Sequence, residues 1–247
     1  MKQFLFSIIL LFTSLKLSAQ ISKDFSCDDF TFNIESNTRN SVEFLNKERY
    51  FQFIKDSIPK SKKPVIAENK KLNEEFQKKF PNTITEHCIH AKSFSQGKIE
   101  DTSFCNNKYN ISLISKEYNF YIFKILAFEI DNYLIFNTNN KTIYSSNHYP
   151  IILNNGKFIF DIGYSYDGLN SFNYFKFKDN NVGYFELSIP LHYQIKNYNI
   201  INAFNGLKLT AELTKYNVKE TSPNKSEDDK SDFCTKFINI PVSNDRN

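Results

Sequence analysis

Between Ile111 and Leu213 the chain is a near-unbroken series of Phe-, Tyr-, Ile- and Leu-rich runs separated by Asn- and Gly-containing turns. Asn and Gly tolerate positive φ, so apolar runs punctuated by them read as antiparallel strands joined by tight connections. This stretch predicts a mainly β chain, built as an antiparallel sheet or a sandwich.

Two segments in it are alike. Phe136-Asn-Thr-Asn-Asn-Lys-Thr-Ile-Tyr144 and Phe177-Lys-Asp-Asn-Asn-Val-Gly-Tyr-Phe185 share an aromatic residue, a polar turn centred on Asn-Asn and a hydrophobic restart. Each reads as a β-hairpin. Phe136 and Phe177 lie 41 positions apart, as do Leu134 and Phe175. A period of roughly 40–45 residues is that of four-stranded repeat units.

Between the hairpins runs Pro150-Ile-Ile-Leu-Asn154-Asn155-Gly156-Lys157-Phe158-Ile-Phe160. It resembles the turn-and-strand element of WD40-like and TolB-like propeller repeats, where a Pro, a polar Asp/Asn-Gly-Lys turn and an aromatic strand follow one another. The resemblance covers residues 130–190. Asn155 stands in place of the Asp of that turn, and Ile152-Leu153 in place of the preceding Ser-Pro. A closed propeller needs at least about four blades. The chain offers two clear units, and a third near Phe94-Ser-Gln-Gly-Lys-Ile99 at approximate spacing. The resemblance therefore implies a partial propeller, set beside the plainer sheet or sandwich in which two Asn-Asn hairpins coincide.

At the start, Lys2, an apolar core from Phe4 to Phe12 and Leu17-Ser-Ala19 before Gln20 have the pattern of a secretory signal peptide over residues 1–19. Gln20 occupies the place a lipid-bearing Cys requires, so export without a lipid anchor is expected, to the periplasm or beyond the cell. Residues 20–247 would then form a single β-rich domain, with a helical part over 41–81 and a β part over 111–242. Lys124 and Glu129 interrupt the longest remaining apolar run, which predicts no transmembrane segment there. Removing residues 1–19 lowers the formal charge from +4 to +2, which gives no basis for nucleic-acid binding.

Two helices are predicted. Ser41 to about Asp56 has Ser41 as N-cap with Val42, Leu45 and a Tyr50–Ile54 cluster as its buried side. Ala67 to Phe80 repeats Leu72, Phe76 and Phe80 at fourfold spacing and stops at Pro81. Both are expected to pack on the sheet. Phe120 to Ile130 reads as one central strand apolar on both faces. Further strands are expected at Phe30–Ile34, Lys157–Tyr164, Tyr184–Ile189, Leu207–Tyr216 and Phe233–Val242, and residues 219–232 read as a mobile, solvated loop.

Four cysteines, Cys27, Cys88, Cys105 and Cys234, predict two disulfides in an exported chain. Three pairings exist. Cys88 with Cys105 closes a short loop, and Cys27 with Cys234 ties the ends. Glu86-His87-Cys88-Ile89-His90 is the one cluster of metal-type ligands, but no partner group sits at a zinc-site spacing and the disulfide is the better use of Cys88. Asp161-Ile-Gly163-Tyr-Ser165-Tyr-Asp167-Gly168 has oxygen ligands near glycines, yet lacks the ligand count of a calcium loop and reads as a turn with Asp167-Gly168 at its tip. Asp167 also replaces the second Gly of a nucleophile elbow at Ser165. His148 and His192 read as loop histidines, and Asp28-Asp29 and Glu100-Asp101 as solvated turns.

No cofactor, resident metal or catalytic constellation emerges. The expectation is a protein-interaction or structural module of the cell envelope. The alternative is a carbohydrate-binding module or hydrolase accessory, using 14 Tyr as platforms but no Trp.

Overall fold

The computed structural model describes residues 30–38, 40–58, 66–164, 170–178, 181–190, 193–203, 206–215 and 234–243. The predicted signal peptide and the 219–232 loop lie outside them. The described residues from Phe32 onward form one compact unit.

The described strands form three sheets. The first contains the consecutive antiparallel strands β5 (Asn110–Glu117), β6 (Phe120–Ala127), β7 (Ile130–Asn137) and β8 (Thr142–Ser146). The second contains β9 (Ile151–Leu153), β10 (Phe158–Tyr164), β11 (Asn170–Lys178) and β12 (Asn181–Ser188). The third contains β13 (Tyr193–Ala203), β14 (Gly206–Lys215) and β15 (Cys234–Ser243). Each run is then extended on its last strand by a strand from the first part of the chain. β1 (Asn33–Ser36) pairs with β12, and β2 (Glu43–Leu45) with β15. The hairpin of β3 (Cys88–Ser95) and β4 (Lys98–Cys105) joins β8 through the parallel pairs Lys92–Thr142 and Ser93–Ile143. The predicted mainly β architecture, with a minor helical component before it, is what folds.

Alternation along β6 explains why the first sheet is covered on both sides. Tyr121, Phe123 and Ile125 project to one face, Phe120 and Ile122 to the other, and all five are buried. The first face receives helix α2 (Lys70–Lys79). Phe76 is fully buried there, its ring 5.0 Å from Tyr121, 5.0 Å from Phe123 and 5.3 Å from Phe136 in edge-on contacts. The other face packs on the second sheet, with Tyr144 against Phe175 and Phe177 at 5.1 Å each.

On the second sheet, Asn170 reaches the third: its Nδ2 donates to the Tyr193 carbonyl at 2.6 Å, and its Oδ1 accepts from the Ile195 N–H at 3.0 Å. The third sheet carries helix α1 (Lys47–Phe53), whose buried Tyr50 packs against Phe237 with ring centres 4.6 Å apart. The two predicted helices thus cover different sheets.

Their limits differ from the sequence reading. The first was expected from Ser41, but residues 43–45 are strand β2, held by pairing of Leu45, Phe44 and Glu43 with Phe237, Ile238 and Asn239. The cap is Asn46, whose side chain accepts from the Arg49 N–H. α2 begins after Asn69, which caps the Leu72 N–H, rather than at Ala67. The strand expected over Phe120–Ile130 is two strands. β6 ends at Ala127, the chain reverses at Phe128-Glu129 with Glu129 at φ 61°, and Ile130 pairs back on Ala127. The other predicted strands are found within a few residues of their expected limits.

Phe136 and Phe177 are each the penultimate residue of the third strand in a four-strand run, facing Ile143 and Val182 across their hairpins. Asn154 and Asn155 have φ of 52° and 56°, as the expected turn between β9 and β10 requires.

Candidate functional site

The β3–β4 hairpin gathers most of the chemistry that the sequence singles out. It turns on Gln96 and Gly97, both at positive φ, and a Cβ on Gly97 would lie 2.8 Å from the Tyr184 ring. Glycine is needed at that position both for its φ and for the close approach. From this turn the ladder runs without a register shift through Phe94–Ile99, Lys92–Asp101 and His90–Ser103 to Cys88–Cys105.

Side chains alternate, so Cys88 and His90 share one face of β3, with Cys105 and Ser103 opposite them. Cys88 and Cys105 are joined by a disulfide, their Cα atoms 4.1 Å apart, as the short spacing predicted. Cys234 is also disulfide-bonded, while Cys27 lies outside the described residues. His90 Nδ1 sits 2.9 Å from Ser103 Oγ, which turns His90 Nε2 to within 3.6 Å of Cys105 Sγ. His87 is drawn elsewhere, its Nδ1 2.6 Å from the Tyr109 carbonyl. The Glu86–His90 cluster is therefore divided: Cys88 and His90 face Cys105, and His87 does not.

Beside the hairpin lies a cleft of about 450 Å³. Phe80, Phe136 and Ala91 are among its apolar lining, and Lys92, Asp101 and Lys141 carry charge at it. Glu100 and Asp101, expected in a turn, stand on β4 and are exposed.

A second constellation joins the first and second sheets. Asp161, inside the strand expected over Lys157–Tyr164, is a buried residue of β10. Its carboxylate accepts from the Asn147 N–H at 3.0 Å and the His148 N–H at 3.1 Å, and lies 2.9 Å from His148 Nδ1. No local pattern signals this pairing, since 13 positions separate the two residues. Ser165, Asp167, Gly168, His192 and Asp28-Asp29 lie outside the described residues. Among the described residues this constellation is an oriented His–Asp pair. With a His148 side chain 15% exposed, it holds the β8–β9 connection in place.

No protein family, curated protein or solved structure matches the chain. The site must be judged on its geometry.

The edges of the three sheets supply that judgement. An uncovered strand edge is a template for another chain, and natural sheets blunt their edges by shortness, bulges or cover. β9 and β2 have three residues and β1 has four. β5 carries a register shift between Leu113 and Ser115, and its outer groups are engaged by Asn69 N–H on the Leu113 carbonyl and by Ile111 N–H on the Glu86 carbonyl. β13 has a shift between Ile195 and Asn197, and Ile58 N–H bonds to the Ile200 carbonyl. β4 has eight residues, no shift and, among the described residues, no strand partner but β3. Seven of its eight residues are exposed, including Ile99 at 46% and Phe104 at 39%.

Proposed function

We infer that this protein is an exported β module that binds an extended polypeptide by strand addition along β4. The observation that supports this reading is the contrast of edges: β4 is the one long, regular and uncovered edge among the described strands. The Asn106 N–H bonded to the His87 carbonyl fixes the alternation of the ladder. By that alternation Cys105, Ser103, Asp101 and Ile99 direct their backbone groups away from β3. The disulfide at one end and the tight Gln96-Gly97 turn at the other hold this template in register.

The chemistry of β4 describes its partner. Glu100 and Asp101 select basic residues, and Ile99 and Phe104 offer apolar contacts. The same acidic pair disfavours pairing of two β4 strands across a twofold centred on it. Export rests on the pattern of residues 1–19 and the paired cysteines. The blade-like reading of β5–β8 and β9–β12 rests on the matched positions of Phe136 and Phe177. A sugar platform draws little support, because Tyr118 alone among the described tyrosines is exposed.

A random library of eight-residue peptides selected on the oxidised protein tests the reading. Peptides with adjacent basic residues flanked by apolar ones should emerge, and binding should slow exchange of the Ile99, Asp101 and Ser103 amides. Asp101→Pro removes one outward N–H without breaking the ladder to β3 and should abolish binding. Selected peptides that leave those amides unprotected would sink the proposal.

A further inference from the structure

We propose that Cys88, His90 and Cys105 form a redox-gated site for a borderline-soft divalent cation of the zinc class, closed while the disulfide stands and opened by its reduction.

Three ligand atoms are brought together by strand geometry alone. Period-two alternation puts Cys88 and His90 on one face, and the register sets Cys105 opposite Cys88 and diagonal to His90. Cys88 Sγ, Cys105 Sγ and His90 Nε2 all lie within 4.8 Å of one another. The 3.6 Å from Cys105 Sγ to His90 Nε2 is the separation of two ligand atoms on one tetrahedral ion with bonds of about 2.0–2.3 Å.

The histidine is also set up as a ligand. Metal-binding imidazoles hold their other nitrogen in a hydrogen bond that fixes ring orientation. Ser103 Oγ takes that place at Nδ1, leaving Nε2 toward the sulfurs. Two thiolates and one imidazole suit a zinc-class ion, with a fourth position open to water or a donor from outside the chain. His90 and Cys105 are exposed and Cys88 is half-buried, so reductant and ion can reach the site.

The chemistry balances in two steps. An external dithiol gives two electrons and two protons to the Cys88–Cys105 bond and leaves as its own disulfide, producing two thiols. The divalent ion then displaces both thiol protons and binds the two sulfurs and His90 Nε2, releasing two protons to solvent. The seven remaining pairs, from Ile89–Phe104 to Ser95–Lys98, keep the hairpin in register after the disulfide opens.

Cobalt(II) titration of the full protein reads the site through thiolate-to-metal charge-transfer absorption. The protein would be reduced with a phosphine and moved to anaerobic, reductant-free buffer. One ion per chain should bind with that absorption, and the oxidised protein should bind none. Cys88→Ser/Cys105→Ser, which retains Cys27 and Cys234, should lose binding entirely. Ser103→Ala should weaken it about 10–100-fold, the usual effect of losing an outer-shell partner, and His90→Ala by more. Circular dichroism of each reduced protein checks that the sheets persist. Loss of the sheet signal on reduction would overturn the proposal, because the ladder is what assembles the ligands. Binding that survives in the double cysteine variant, or is unchanged in His90→Ala, would overturn it too.

Discussion

Asp161 holds His148 at two points, accepting from its backbone N–H at 3.1 Å and lying 2.9 Å from its ring Nδ1. One buried carboxylate on β10 thereby fixes both the chain and the side chain of the connection between two sheets. Asp161→Asn keeps the shape but turns an amide group toward donors. A hydrogen bond to a charged group contributes about 1.5–3 kcal/mol, so the variant should lose about that much in urea unfolding. Asp161→Asn unfolding at the wild-type urea midpoint would show that the carboxylate carries no such share.

Phe76 is the central residue of the α2 interface, touching three rings from two strands, β6 and β7. Phe76→Ala should cost about 3–5 kcal/mol, the range for deleting a buried Phe ring. Phe128, 88% exposed at the β6–β7 turn, is the control. Phe128→Ser should stay within about 0.5 kcal/mol of wild type. Equal losses in the two variants would contradict the packing described.

Lys124 and Asp131 form an ion pair of unequal burial, with side-chain exposures of 6% and 69%. Burial lowers the pKa of Lys124, whose ammonium also lies 3.9 Å from the Tyr133 ring centre. Removing the buried partner leaves Asp131 in water, whereas removing Asp131 leaves a buried cation without its counter-ion. Lys124→Met should therefore be neutral or stabilising, and Asp131→Ala destabilising. The two thermal melts, read side by side, check the sign.

Glu75 accepts from Lys79, Tyr121 and Lys116, and these bonds lower its pKa from 4.5 to about 2. A carboxyl depressed by folding adds stability that is fully present above its unfolded pKa and lost as pH falls through its folded one. Wild type should thus lose this contribution progressively between about pH 4.5 and pH 2. Glu75→Gln should show a shallower decline across the same window. Parallel stability profiles for the two proteins would remove Glu75 from the account.

Much of the β architecture is legible in the chain because its signals are local. Asn154-Asn155-Gly156 announces its own turn, and the alternation of Phe120 to Phe123 shows a strand buried on both faces. The reversal at Phe128-Glu129 carries no Gly, Asn or Pro, so only the pairing of β6 with β7 reveals it. β2 was hidden for a related reason. Three residues make a strand there because β15, nearly two hundred positions later, supplies the partner. At the site, the Cys88–Cys105 link followed from short spacing. The seating of His90 against Ser103 and Cys105 depends on register, and the bareness of β4 on what every other edge does.

The placement of β1, β2 and the β3–β4 hairpin has a consequence for how the molecule is made. Each waits for a strand synthesised later, and β2 waits for the last strand described. Sequence-distant pairings of this kind form slowly, because the intervening loop must close before they contribute. A chain interrupted before residue 234 would leave β2 and β14 each without its β15 partner. Completion of the third sheet is therefore a late event that reports that the chain has been made through β15.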